Sequence, residues 1–314
     1  MNRLLVKAAY AETTVTRYEG AVRTFLKWCK NNGAPECHTT RELDELLTEF
    51  LHFLFLNNGS KQTGNNVIYG LMMKSPNLKG RLPLSRLAMR GWDKLQPAVA
   101  YPPLTWPITV AIAARMAQRG NVLQAIATVV SFHCLLRVGE MTQLKRQDVA
   151  LADDARLGVD GFAGALRLRK TKTGKNQWVT VLDKDILALL ELACRDLQPN
   201  DRVFPFSAGS FRRELRAACL DIGITTPYVP HSLRHGGATR LHMQGMRVED
   251  IMLRGRWQSS KSARHYIQSG QALLLSISMP DHVLACGKTL ANSLIASLEL
   301  AYASAQSGHG RGAL

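Results

Sequence analysis

The chain is short of acid, of paired cysteine and of long apolar runs, and each shortage removes a class of protein. Its six cysteines, at 29, 37, 134, 194, 219 and 286, include no C-x-x-C pair and no zinc spacing, so neither a disulfide framework nor a structural metal is expected. They read as reduced core residues of an intracellular protein. His231, His235 and His242 approach zinc spacing, but no cysteine or carboxylate stands at the offsets that would complete a site. The sequence carries no P-loop and no acidic cluster for magnesium, so no metal and no cofactor is expected. The longest apolar run, 122–136, is interrupted by Gln124, Ser131 and His133 and reads as a buried helix, and the opening M-N-R-L-L-V-K-A-A-Y has no signal-peptide h-region. No internal repeat is present, and the one low-complexity stretch, S-G-H-G-R-G-A-L at the end, reads as disordered.

The acid shortage has a positive counterpart. Forty Lys and Arg against 24 Asp and Glu leave a formal charge of +16 and a pI near 9.9, which calls for a polyanionic partner, nucleic acid first. An anionic membrane surface is the second candidate, but it needs a basic amphipathic helix with a bulky apolar face or a lipidation motif, and neither stands out.

At 314 residues the chain has room for about two domains. From Thr13, Tyr18, Val22, Phe25 and Cys29 recur at helical spacing until Gly33 stops the pattern; further helical patterns run over 40–56, 61–74 and 82–95. In the last of these, Arg86, Arg90 and Lys94 fall four apart on one face, a stripe suited to a phosphate backbone or equally to plain solvation. Four prolines between Pro97 and Pro107 exclude helix and strand and mark a linker. The expected division is therefore a helical domain over 1–96, a linker over 97–107, and a domain carrying the chemistry over 108–280, followed by a segment over 281–314.

Beyond the linker, 110–136 reads as helices, the second apolar almost all round, ending in L-L-R-V-G-E. Arg137 closing so apolar a helix needs a partner or a task, and Glu140 stands three residues on. G-A-L-R-L-R-K-T-K-T-G-K-N-Q-W-V-T-V-L alternates on both sides of a T-G-K-N turn and predicts a β-hairpin bearing Lys170, Lys172 and Lys175. Helices over 183–197 and 210–222 follow, and the second sets Arg212, Arg213 and Arg216 opposite its Phe211, Leu215 and Cys219 stripe.

The stretch 230–266, P-H-S-L-R-H-G-G-A-T-R-L-H-M-Q-G-M-R-V-E-D-I-M-L-R-G-R-W-Q-S-S-K-S-A-R-H-Y, holds the densest chemistry. Pro230 suits the first turn of a helix, and His231 and Arg234 then share a face on which an imidazole and a guanidinium grip one anion. Gly236 and Gly237 are costly inside a helix and predict close packing or approach to a ligand. Ser259 and Ser260 offer an N-cap for a short helix ending in Tyr266.

These residues resemble the tyrosine recombinases, the family of the phage integrases, and more distantly the type IB topoisomerases. The family pattern of His-x-x-Arg, then His or Trp, then Tyr nine residues later falls on His231, Arg234, Trp257 and Tyr266. Its upstream arginine and acid fall on Arg137 and Glu140, although Cys134 and Leu135 stand where many bacterial members carry Thr-Gly before Leu-Arg. Its hairpin lysine falls on Lys172, with Lys175 as the alternative. The resemblance covers roughly 10–280. It implies a mainly α fold with a small antiparallel β-sheet in the catalytic domain, arranged as a two-domain, C-shaped DNA clamp whose N-terminal part is a helical core-binding, SAM-like domain.

The resemblance further implies catalytic roles for Arg137, Glu140, Lys172, His231, Arg234, Trp257 and Tyr266. DNA-backbone contacts are expected from Arg86, Arg90, Lys94, Lys170, Lys175, Arg212, Arg213 and Arg216. The implied reaction is transesterification of duplex DNA through a 3′-phosphotyrosine, with arginines clamping the phosphate oxygens and a lysine protonating the departing 5′-oxygen. Free tyrosine ionises near pH 10, so the nucleophile needs a positive field or a base beside it. The implied partners are double-stranded DNA and further copies of the chain in a synaptic tetramer, and the H-S-L-R-H-G-G-A-T run points toward recombinases of mobile elements. The alternatives are a topoisomerase that relaxes DNA by the same cleavage, or a catalytically silent DNA-binding protein of the same fold. Past Gly287, Leu290, Leu294 and Leu298 predict a helix with one apolar face, docked on a neighbouring protomer as in the family or folded back onto its own domain.

Overall fold

The computed structural model describes residues 9–97, 101–151, 164–171 and 174–309. They divide into two compact units, 1–100 and 101–314.

In the first unit, α1 (Glu12–Asn31), α2 (Thr40–Leu56), α3 (Lys61–Lys74) and α4 (Pro83–Leu95) enclose a core of Phe25, Leu47, Phe50, Leu51, Val67, Met89 and Trp92. The α2 start is set by a capping box: the Glu42 N–H donates to Thr39 Oγ1 at 3.2 Å, and the Thr39 N–H donates to Glu42 Oε2 at 3.1 Å. Asp44, buried on α2, accepts from the Leu84 and Ser85 N–H groups at 2.8 and 3.0 Å. A carboxylate on a helix N-terminus answers both its orphan donors and its positive dipole end. That contact fixes the rotation of α4, whose outer face leaves Arg86, Arg90 and Lys94 exposed.

The second unit opens with α5 (Trp106–Gln118). Pro107, expected to end the linker, instead occupies the first turn of this helix, where its missing N–H leaves no bond unmade. α6 (Val122–His133), buried almost throughout, and the four-residue α7 (Val138–Met141) follow. A three-stranded antiparallel sheet runs in order β1 (Val149–Ala150), β2 (Gly164–Lys170), β3 (Lys175–Val181). Leu166, Leu168, Val179 and Val181 turn one face of it into the core. On the hairpin, Lys170 pairs with Lys175 and the Thr171 N–H donates to Gly174 O at 2.8 Å. Lys175 and Asn176 thus belong to β3, and the turn falls earlier than the expected T-G-K-N. Lys172 lies outside the described residues.

α8 (Lys184–Cys194), α9 (Ala208–Asp221), α10 (Pro230–Met243), α11 (Val248–Gly255), α12 (Ser260–Tyr266) and α13 (Ser269–Ile277) follow; α8 and α10 pack on α6, and α11, α12 and α13 pack on α10. The glycines of α10 serve backbone contact rather than a ligand: a Cβ on Gly236 would lie 1.7 Å from the carbonyl oxygen of Leu104, and one on Gly237 2.1 Å from that of Phe132. α10 is thereby pressed onto the 101–105 segment, where the Leu104 N–H donates to Ser232 O at 3.1 Å.

The last segment is two helices, α14 (Asp281–Ala291) and α15 (Leu294–His309), bent by 86°, not the single helix expected from the leucine spacing. Val283, Leu294 and Leu298 join the core of their own unit, so in the single chain the segment folds back onto its own domain. The cysteines also depart from expectation. Cys134, Cys194 and Cys219 are core residues, but Cys29 and Cys37 are partly exposed and Cys286 is exposed. No single helix among the described residues is long and apolar enough to cross a membrane.

Candidate active site

Tyr266 ends α12, the short helix that Ser259 caps by accepting the Ser262 N–H at 3.2 Å. The tyrosine is half-buried, and its hydroxyl shares a 2.8 Å hydrogen bond with His231 Nε2, from the first turn of α10. One turn on, Arg234 is wholly enclosed. Its guanidinium lies 4.4 Å from the Trp257 ring centre and 5.4 Å from that of Tyr266, while Trp257 and Tyr266 pack with centres 4.7 Å apart. The i, i+3 spacing of His231 and Arg234 therefore delivers both groups to one phenol.

Arg234 donates through Nη1 and Nη2 to the carbonyls of Leu135 and Gly255, which orients it. Its Nε and the indole Nε1 of Trp257 are buried without a protein acceptor, an arrangement that is costly unless the groups have a task. Burial, followed by the charges of Arg137 and Arg256, lowers the Arg234 pKa; a guanidinium so shifted still stays cationic at neutral pH.

The second arginine reaches solvent. Arg137 caps α7, its side chain 19% exposed, and donates from Nη1 to Glu140 Oε1 at 2.6 Å and from its backbone N–H to Glu140 Oε2 at 2.9 Å. Burial raises the Glu140 pKa, but the charge of Arg256 and the bonds from Arg137 outweigh it, and the carboxyl is held below its ordinary range. Arg256, which sequence reasoning passed over, is itself buried and donates to Glu140 Oε2 at 2.9 Å. The one available signal was a charged residue directly after Gly255, where α11 ends.

His235 was also missed as part of this site, having been weighed only as a metal ligand. It is 1% exposed, with its ring centre 4.5 Å from that of Tyr266. No group of three or more metal-ligating side chains occurs among the described residues. Burial first, and then His231, His265 and Arg234, push the His235 pKa down to about 3. The unfolded chain would take this proton near pH 6.5. Between those values the unfolded state binds more protons, so the stability is complete above pH 6.5 and declines as pH falls toward 3. His133, pushed down to about 4 chiefly by burial, acts in the same direction. At pH 5 the His235 contribution is a loss of about 2 kcal/mol. The denaturant midpoint is expected to drop between pH 7 and pH 5, with His235→Phe flattening the dependence; a level wild-type profile contradicts a buried neutral imidazole.

Of the remaining expected contacts, Lys175, Arg212, Arg213 and Arg216 are exposed on the second unit, and Lys170 lies in β2.

The sequence model of the phage integrase family matches residues 110–272, from α5 to α13. The chain belongs to the phage integrase family. These proteins are tyrosine recombinases, and their fold is the one described above, mostly helical with a small three-stranded sheet. No curated protein matches the sequence. Solved structures do. A lambda integrase (residues 75–356) dimer bound to a COC′ core site is 16% identical, with a TM-score of 0.59 over 85% of this chain and 92% of that one. A lambda integrase tetramer bound to a Holliday junction is 16% identical, with a TM-score of 0.57 over 85% and 75%. The Tn1549 transposon integrase (residues 82–397) in complex with circular intermediate DNA is 13% identical, with a TM-score of 0.52 over 82% and 99%. At such identities the likeness is one of fold.

Proposed function

We propose that this recombinase-family chain is a site-specific DNA recombinase that cuts and rejoins duplex DNA through Tyr266, using neither metal nor nucleotide. The observation that carries the reading is the 2.8 Å hydrogen bond between the Tyr266 hydroxyl and His231 Nε2, beside a buried guanidinium. In the forward step the phenolic oxygen attacks the scissile phosphorus and its proton passes to His231 Nε2. The bond from phosphorus to the 5′-oxygen breaks, leaving a 3′-phosphotyrosine. A 5′-hydroxyl from a second duplex reverses the step and exchanges the strands.

Charge gathers on the non-bridging oxygens in the transition state, and preorganised cations stabilise it there. Arg137, with its open side of guanidinium, meets those oxygens directly, while Arg234 supplies charge from beneath the Trp257 and Tyr266 rings. This divides the work that an equal clamp by both arginines had implied. The Trp257 indole N–H, buried without a protein acceptor, is a further donor for those oxygens. The exposed basic residues at 86, 90, 94, 175, 212, 213 and 216, with Lys170, take the DNA backbone. Exchange between two sites requires copies of the chain to assemble on DNA. The lambda integrase tetramer, which shares the fold, supports a tetramer here, and the H-S-L-R-H-G-G-A-T run supports movement of a phage or mobile element as its setting.

The leaving 5′-oxygen needs a proton, and Lys172 is our candidate donor, with Lys175 the alternative. A 5′-bridging sulfur leaves with almost no need of a proton, so it is expected to restore cleavage to Lys172→Ala. Rescue of Lys175→Ala in its place would move the acid to that residue. The function as a whole is tested with a plasmid carrying two cognate sites. Deletion or inversion between them is the expected product, and relaxation with no recombinant product would make the chain a topoisomerase-like enzyme.

A further inference from the structure

Arg256 sits where a helix end favours glycine. It follows Gly255 at the close of α11, with φ at 58° and ψ at 41°, a left-handed conformation that disfavours any residue bearing a Cβ. Its side chain is nonetheless drawn fully inside. Nη2 donates to Leu135 O at 2.9 Å and to Glu140 Oε2 at 2.9 Å, and Nη1 donates to Arg254 O at 3.1 Å. A residue that tolerates an unfavourable backbone and gives up its hydration makes those contacts for a purpose that helix termination does not explain.

Its contacts converge on the two arginines of the site. Glu140 Oε2, which accepts from Arg256, also accepts the Arg137 backbone N–H, and Oε1 takes the Arg137 guanidinium at 2.6 Å. Leu135 O, the other acceptor, is shared with Arg234, and Leu135 is itself left-handed at φ 51°. A carboxylate with Arg137 as its only cationic partner would swing with that side chain and neutralise it. Anchored by a second, buried guanidinium, the carboxylate becomes a fixed post, and the three arginines with one glutamate keep a local charge of about +2.

We propose that Arg256 is a positioning residue for this reaction, acting through Glu140 to hold Arg137 where it meets a non-bridging phosphate oxygen. The proposal rests on the recombinase reading above. Its test compares two substrates under single-turnover conditions: the ordinary phosphodiester, and one with a methylphosphonate at the scissile position, which has a methyl in place of one charged oxygen and needs less cationic help.

Arg256→Gly relieves the backbone and removes the post. It is expected to slow phosphodiester cleavage by about 10²-fold and methylphosphonate cleavage far less, as is Arg137→Ala. The double variant is expected to be no slower than Arg137→Ala alone. Arg256→Lys keeps the charge without the planar fork and is expected to fall between, and it stands in should the glycine variant melt early. Equal slowing on both substrates, or losses that multiply in the double variant, would overturn the positioning role. A wild-type protein that cleaves neither substrate would instead overturn the recombinase reading beneath it.

Discussion

Tyr266→Phe is expected to bind its DNA site as the wild type does and to form no covalent adduct at all. The variant removes one oxygen. Its ring keeps the packing on Trp257 and His235, at 4.7 and 4.5 Å between centres, and loses only the bond to His231. A part-buried hydrogen bond of this kind contributes about 1 kcal/mol, so melting should change little. The chemistry has no such reserve, because a phosphodiester needs an attacking oxygen and phenylalanine has none. Residual adduct at even a small fraction of the wild-type level, on a nicked substrate that traps the cleaved state, would place the nucleophile elsewhere.

Truncation after residue 280 is expected to unfold the second unit rather than merely disable assembly. Val283, Leu294 and Leu298 are 1%, 4% and 0% exposed within its main core. α14 lies so close to α5 that a Cβ on Gly287 would stand 2.0 Å from Pro107 O. Each such side chain stabilises by roughly 1.5–3 kcal/mol when fully buried, and three together rival the 5–15 kcal/mol by which a whole domain is stable. The truncated protein should therefore show no cooperative melt for this unit and rapid proteolysis. A truncated protein that melts like the full chain and fails only in bringing two sites together would return the segment to a neighbouring protomer.

The contrast between these two regions shows what was legible in the sequence. His231, Arg234, Trp257 and Tyr266 lie within 36 residues, and local spacing brought them to one phenol because helix periodicity and a serine cap act over single turns. The helices over 40–56 and 61–74 were legible because their apolar residues recur in phase with the helix turn. The terminal segment was not, since a leucine every fourth residue gives the same signal whether the helix runs on or breaks after Ala291, and only the groove beside α5 and α6 decides. Pro107 was misread as a breaker because a proline in the first turn and one in a loop look alike. Arg256 gave only a faint signal, a charge directly after Gly255: its partner Glu140 is 116 residues away, and its left-handed backbone occurs at a residue type that gives no warning. The earlier position of the hairpin turn has a similar origin, because Gly174 and Asn176 both signal turns and the strand pairing of Lys170 with Lys175 decides between them.

The most direct test of the account is to trap the protein on a nicked suicide substrate carrying its own recombination site, digest the adduct, and identify the modified residue and the DNA end it holds. The account predicts a single peptide spanning Ser262–Gln268 with a 3′-phosphate esterified to Tyr266. A phosphate on any other residue, a 5′-linkage, or a site fully bound with no adduct formed would contradict it.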